Sequence, residues 1–349
     1  MLDSKNRPVL TERDILLNLK AICADADKVQ QHEVASSAIG VLTTENRKVW
    51  SGLRKILTAH SGNRQCLQAV DDALFVVCLD DFSPENEAEL CSNYLCGTYK
   101  LSSGIQVGTC TNRWYDKVGK LCGLILPELS FPKLQIIVCG NGMAGINFEH
   151  TGVDGHTVLR FAADVFTEGL MLMARSINPA APALFKAKLS PHAKSYKPPK
   201  HHSGHNHIHH EPPEMFDTTP KKLEWHLTPE LRAGIRFAET RISDLICQND
   251  CQALEFKGYG RNWMIVHGFS PDAFVQMAFQ AAYYGLYGQT DCTYEPAMTK
   301  AFLHGRTEAI RTVQPESVEF TKVRYEFDVT KRVLIGAVDV LLGAADSGE

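Results

Sequence analysis

Apolar positions along the chain follow two periods, and the change from one to the other marks its elements. Over residues 11–24, Ile15, Leu16, Leu19 and Ile22 recur at three- and four-residue spacing and so share one helical face. Thr11, with Asp14 three positions on, supplies the polar cap that starts it. Helices of the same kind are expected over residues 46–57 and 63–72. The runs ALFVVCL at 73–79 and LQIIVC at 134–139 are short, β-branched and unbroken, as buried strands are. Gly140 to Gly142 then forms a turn, and a strand resumes over 145–149. A helix is predicted over 156–175, with Val158, Leu159, Phe161, Ala162, Val165, Phe166, Leu170 and Leu172 as its apolar face. Further helices are expected over 228–247 and 270–284, each opened by a hydroxyl cap followed by proline: Thr228 with Pro229, and Ser270 with Pro271. Strands separated by long helices point to an α/β or α+β fold and not to a bundle.

The periodicity stops over residues 191–221, which carry Pro191, Pro198, Pro199, Pro212, Pro213 and Pro220. This stretch reads as a Pro/His-rich loop or linker between residues 1–190 and 222–322. Its run HHSGHNHIHH at 201–210 reads as an exposed polar loop, so no metal site is expected. With 349 residues there is room for two domains, and a net charge of −4 argues against a nucleic-acid binder. Eleven cysteines without a CxxC pair read as reduced thiols, several of them small hydrophobes within apolar runs; a zinc pair at Cys247 and Cys251 is weighed and set aside. The first residues have neither an apolar core nor an arginine-rich amphipathic stretch. No run approaches the roughly 18 apolar residues of a membrane span. The expected location is cytoplasmic, with a mitochondrial or peroxisomal one open if terminal signals are missing.

One pattern carries chemistry. HTGVDG at 150–155 is an HxxxDG motif between a predicted strand and a predicted helix, a junction at which a side chain projects from a fixed backbone. An imidazole there can take a proton from a hydroxyl and later return it, so His150 is a candidate general base. Asp154 is placed to set its geometry or charge. Alone the motif is weak, because a single histidine beside an apolar strand is more often structural.

Four further blocks, taken with the one that holds this motif, change that balance. TNRWYDK at 111–117, FEHTGVDG at 148–155, FSPD at 269–272, YGQTDCTYEP at 287–296 and HGRTEAIR at 304–311 together resemble the signature stretches of the choline/carnitine acyltransferase family, and occur in its order. The resemblance implies a two-domain fold, each half similar to chloramphenicol acetyltransferase, with the active site in a tunnel between them. It implies acyl transfer between acyl-coenzyme A and carnitine, with His150 as general base, Asp154 as its acidic companion and no covalent acyl-enzyme. Tyr294 and Thr307 match positions that bind the carnitine carboxylate. A hydroxyl at Thr307 favours carnitine over choline, and the fungal, short-chain acetyl branch is the nearest likeness. Asp272 matches a position near the pantetheine arm, and Arg261 one that faces the coenzyme phosphate. Ile265 departs from the family, which has a second lysine there. Acyl-coenzyme A is then a co-substrate, no cofactor is held permanently, and the chain is expected to be a monomer.

Set against that family, the chain is expected to be an incomplete copy, truncated at both ends, with the serine-threonine-serine motif of the oxyanion site falling beyond residue 349. Residues 118–133 and 323–349 match no family block and are expected to be an atypical insertion and tail, read as retained intron sequence. The division is then a partial N-terminal catalytic domain over 1–190 and a partial C-terminal domain over 222–322. The competing expectation is an impaired member that only binds coenzyme A or a partner.

Overall fold

A computed structural model describes residues 1–116, 134–150, 153–184, 188–193 and 216–326. Lys117, the expected insertion at 118–133, the histidine run and the tail beyond 326 lie outside the described residues. Polar caps set the helix starts. The Thr11 hydroxyl accepts the Asp14 amide at 3.2 Å while the Asp14 carboxylate accepts the Thr11 amide at 3.0 Å, which closes a reciprocal cap on α1 (Glu12–Ala26). After the short α2 (Gln31–Ser36), Asn46 caps α3 (Arg47–Ala59), and α4 (Ser61–Asp71) follows. Then come β1 (Phe75–Leu79) and α5 (Glu87–Leu95), the latter capped by Asn86. A two-stranded ribbon of β2 (Leu101–Ser102) and β3 (Ile105–Gln106) leads towards β4 (Leu134–Val138) and β5 (Ala144–Asn147). Two long helices, α6 (Gly155–Ile177) and α7 (Pro229–Gln248), complete the first of two compact units, Met1–Asp250.

β1, β4 and β5 form one sheet with β4 in the middle. β1 runs parallel to β4, pairing Phe75 with Leu134 through Leu79 with Val138. β5 returns antiparallel, pairing Val138 with Ala144 and Gln135 with Asn147, through a turn in which Gly142 has a φ of +83°. Burial alternates along β4: Gln135 and Ile137 are fully buried. The Gln135 carboxamide oxygen accepts the Trp114 amide at 2.7 Å, so even this buried polar residue ties the sheet to the loop after β3.

That loop carries Arg113, which is 3% exposed and donates both Nη atoms to the Asp80 carboxylate at 2.8 Å. Arg113 Nη2 also donates to the Asn93 backbone and side-chain oxygens at 3.0 and 3.1 Å. Asn93 in turn donates to Asp80 at 3.1 Å, and Asn112 donates to Asp80 and to the Leu79 carbonyl at 3.0 and 2.9 Å. A charge pair taken out of water holds best when its remaining donors and acceptors are filled. Here both Nη groups and the Asp80 carboxylate are met from the end of β1, from α5 and from the 109–116 loop at once, while the buried Arg113 Nε has no hydrogen-bond partner among the described residues.

The core beside this network is assembled from Ile39, Val41, Leu42, Trp50, Leu57, Leu67, Cys110 and Trp114, with Leu231, Ile235, Ala238 and Ile242 from α7. The four α7 residues recur at four, three and four, which lays one stripe of that helix onto the core. Trp50 and Trp114 meet edge to face at 6.0 Å, and Trp50 Nε1 donates to Asp116 at 2.7 Å. This helix therefore packs into the first unit, whereas the sequence division at 191–221 groups it with the residues after the linker. Burial pushes the Cys110 thiol up to about 12 and raises that of Cys139, so both stay protonated and act as small apolar groups.

Two predicted apolar faces are not covered. On α6 only Val158 is buried; Leu159, Phe166 and Met173 are 65%, 69% and 60% exposed. On α1 Ile15, Leu16 and Ile22 are each about half exposed. Both helices form where the pattern predicts, but among the described residues no element covers those faces.

The second unit, Cys251–Glu349, is built on α8 (Arg261–Val266) and α9 (Pro271–Tyr287). Ser270 caps α9, Pro271 opens it, and Gly288 ends it in the left-handed conformation at φ +69°. Phe274 lies against Tyr259, Trp263 and Phe269, at centroid distances of 5.9, 6.4 and 5.7 Å, which fixes the loops around α8 to the start of α9. A hairpin of β6 (Glu295–Met298) and β7 (Thr307–Ile310) follows, then α10 (Pro315–Glu326). Periodicity alone predicts neither the hairpin nor α10.

Two outcomes follow. Arg113→Met leaves the Asp80 carboxylate buried without its counter-ion and is expected to destabilise by about 3–5 kcal/mol in urea unfolding, with Arg113→Lys falling between. Glu239, buried on α7 beside Cys110 and Arg236, has its carboxyl raised by burial, against the lowering effect of Arg236. Its folded state thus holds a proton more tightly than the unfolded chain, so its contribution to stability is full below the ordinary carboxyl pKa and is lost as pH rises through the raised one. Glu239→Gln is expected to melt higher than the native protein at pH 7, with the gap closing towards pH 4.

Candidate functional site

His150 stands where β5 hands over to α6, and the local sequence explains the geometry. β5 ends at Asn147, and Asp154 begins α6 as an extended residue whose carbonyl accepts the Thr157 and Val158 amides at 2.9 and 3.3 Å. His150 Nδ1 lies 3.7 Å from Asp154 Oδ1, and the two side chains are 59% and 5% exposed. This is longer than a hydrogen bond and becomes an ion pair when the imidazole carries a proton. The carboxylate sits at a helix N-terminus, where the peptide dipoles favour negative charge. The Phe148 ring lies 6.2 Å from the His150 ring, and its tip is 3.7 Å from where a side-chain carbon on Gly155 would be. Phe148 thus fills the wedge between the strand exit and the helix entry. The arrangement offers an accessible imidazole with a buried carboxylate on its Nδ1 side.

Tyr294 and Thr307 belong to the second unit. The ladder pairs Met298 with Thr307 and Glu295 with Ile310, so Tyr294 falls opposite Arg311. Side chains two apart on a strand share a face, as do directly opposed ones. Tyr294, Met298, Thr307 and Arg311 therefore all lie on one face of the hairpin, and Tyr294 is 66% exposed on it. On the other face, just beyond the ladder, the Thr293 and Thr312 hydroxyls are hydrogen bonded. Two hydroxyls and a guanidinium on one face suit a carboxylate acceptor.

Arg261 is the first residue of α8 and is exposed; Ile265, one turn on, is 49% exposed and adds no charge. Asp272 lies in the first turn of α9. It accepts a hydrogen bond from the Glu295 carboxyl, which holds the Glu295 proton above the ordinary carboxyl range. The structure so brings together Asp272 and the start of β6, next to Tyr294, and separately His150 and Asp154. Glu295 escapes sequence reasoning because a glutamate in a short strand reads as a solvated charge. Arg113 lies inside the block at 111–117 without a role of its own, and its signal is the lone Asp80 after the apolar run of β1. Among the described residues, no group of three or more histidine, cysteine or carboxylate side chains is placed to hold a metal. No helix among them is long and apolar enough to cross a membrane.

Comparison with known proteins supplies the context for these positions. The family model described as choline/carnitine O-acyltransferase matches residues 1–340, a span that includes residues 118–133 and much of the tail expected to be atypical. A protein named putative mitochondrial carnitine O-acetyltransferase from Saccharomyces cerevisiae is 41% identical over 345 residues, covering 95% of this chain and 46% of its own length. Mitochondrial carnitine O-palmitoyltransferase 2 of Mus musculus is 32% identical over 315 residues, 90% of this chain and 38% of that protein. Carnitine O-acetyltransferase of Homo sapiens is 27% identical over 293 residues, 84% and 39%. The chain spans less than half the length of these curated relatives. With its mixed helix and strand architecture and a match over nearly its whole length, the chain belongs to the choline/carnitine O-acyltransferase family.

Proposed function

We propose that this chain takes part in reversible transfer of a short acyl group, acetyl above all, between coenzyme A and the hydroxyl of carnitine. The observation that carries the reading is the His150–Asp154 pair at the β5–α6 junction, held within the HxxxDG motif. In this reading the neutral His150 imidazole takes the carnitine hydroxyl proton as the oxygen attacks the thioester carbonyl. The tetrahedral adduct then collapses, the carbon–sulfur bond breaks, and the leaving thiolate takes the proton back from the imidazolium. Asp154 stabilises that imidazolium and orients the ring. An electrostatic contact of 3.7 Å before substrate is bound is compatible with this role, since catalytic contacts often tighten in the complex.

Tyr294 and Thr307 bind the carnitine carboxylate, supported by their shared face on the hairpin, and Arg261 and Asp272 serve the coenzyme side. The preference for acetyl rests on the 41% identity to the yeast protein named a putative mitochondrial carnitine O-acetyltransferase alone, since the human acetyltransferase, at 27%, ranks below the mouse palmitoyltransferase at 32%. The yeast and mouse names support a mitochondrial setting over the cytoplasmic one. The fold proposed is the two-domain one similar to chloramphenicol acetyltransferase. No permanently bound cofactor is part of the scheme.

The test is release of coenzyme A thiol from acetyl-coenzyme A in the presence of L-carnitine. General-base catalysis is worth roughly 10²–10⁴-fold, so His150→Ala is expected to lower kcat by about 10³-fold. Undiminished turnover in that variant contradicts the reading. Tyr294→Phe and Thr307→Val each remove one hydrogen bond to a charged group, worth about 1.5–3 kcal/mol. Each is expected to lower kcat/KM for carnitine by at least about tenfold and to leave the KM for acetyl-coenzyme A unchanged. Choline in place of carnitine is expected to give little product.

A further inference from the structure

We propose that Asn147 is a positioning residue for His150: its carboxamide clamps the end of β5 onto the last turn of α5 and so fixes where the chain delivers the imidazole. The proposal rests on the reading of His150 as the base. A helix leaves its final carbonyls without partners, and those of α5 can be followed one by one. The Ser92 carbonyl accepts the Cys96 amide at 3.0 Å. The Asn93 carbonyl accepts the Gly97 amide at 3.1 Å and Arg113 Nη2 at 3.0 Å. The Cys96 carbonyl accepts the Tyr115 hydroxyl at 2.7 Å. Tyr94 and Leu95 remain, and Asn147 Nδ2 donates to both, at 2.8 and 3.0 Å. A carboxamide nitrogen carries two protons, so donors and acceptors match in number.

A second contact on the same face of β5 reinforces the clamp. The Tyr94 ring lies directly on Gly145, where an added side-chain carbon would stand 2.3 Å from Tyr94 Cε2. β5 can approach α5 this closely only because position 145 has no side chain. Gly145 and Asn147, two apart, face α5 together. His150 comes three residues later, within about 10 Å of chain. Its side chain is 59% exposed, so packing does little to hold it. The backbone that leads to it and the Asp154 carboxylate beyond help to set its place. Asn147 anchors that backbone where the strand ends, and through Asn93 the anchor reaches the buried Arg113–Asp80 pair.

The test uses the native protein and Asn147→Asp, an isostere with no N–H, whose carboxylate would face two carbonyl oxygens. It is expected to lower kcat at least tenfold with both KM values within about twofold. It is also expected to shift the His150 ring Cε1–H resonance, identified by its loss in His150→Ala. The resonances of His60 and His226, stacked on each other at 4.5 Å elsewhere in the same unit, should stay in place. Asn147→Ala, free of the repulsion, should show the same pattern at smaller amplitude and carries the test if the aspartate variant does not fold. An unmoved His150 resonance with unchanged kcat overturns the proposal, as does movement of all three histidine resonances together. Full turnover in His150→Ala overturns the assignment of the base instead, and Asn147 is then judged on the His150 resonance alone.

Discussion

The Arg113–Asp80 ion pair is the constraint on which the first unit is organised. A guanidinium and a carboxylate, both almost fully buried, are stable there only if every element that touches them stays in register. Asp80 terminates β1, Asn93 lies on α5, and Arg113 sits in the loop whose neighbours Trp114, Tyr115 and Asp116 bond to Gln135, Thr43 and Trp50. Such a pair adds less to net stability than an apolar cluster of equal volume would. What it contributes is a single arrangement, because a shift of any one element strands a buried charge.

The consequences run outward to the chemistry. α5 is held by the ion pair at Asn93, and its final carbonyls are then met by Asn147 at the end of β5. Gly97, at φ +79°, ends that helix, and it lies so close to Cys110 that a side-chain carbon would stand 2.5 Å from the Cys110 backbone. In the proposed site the exposed imidazole of His150 follows from this support, while Asp154 approaches it from the residue that precedes the next helix. Under that proposal, precision comes from the backbone leading into the site more than from packing around it.

Much of this is legible in the sequence. Thr11, Asn46, Thr228 and Ser270 begin helices where capping chemistry says they should. The strands are visible as β-branched runs, but the burial expected of the first is not found: in β1 only Cys78 is buried, and Phe75, Val77 and Leu79 are exposed. The flanking strand and helix patterns place the HxxxDG motif at their junction. Interactions between residues far apart in sequence are what the pattern does not carry. Asp80 and Arg113 are 33 positions apart, and Asn147 lies more than 50 beyond the carbonyls it caps. The β6–β7 hairpin escapes because its strands are half exposed and carry proline and glutamate, so no clean two-residue alternation emerges. The apolar stripe on α6 predicts the helix, yet among the described residues most of that face is exposed, since periodicity reports the face and not what covers it.

Native-state hydrogen exchange resolved to β1, α5 and β5 tests the organising role of the buried pair most directly. The account predicts that Asp80→Asn lowers protection in all three elements together, to one common opening free energy. Loss of protection confined to β1, with α5 and β5 unchanged, would contradict it.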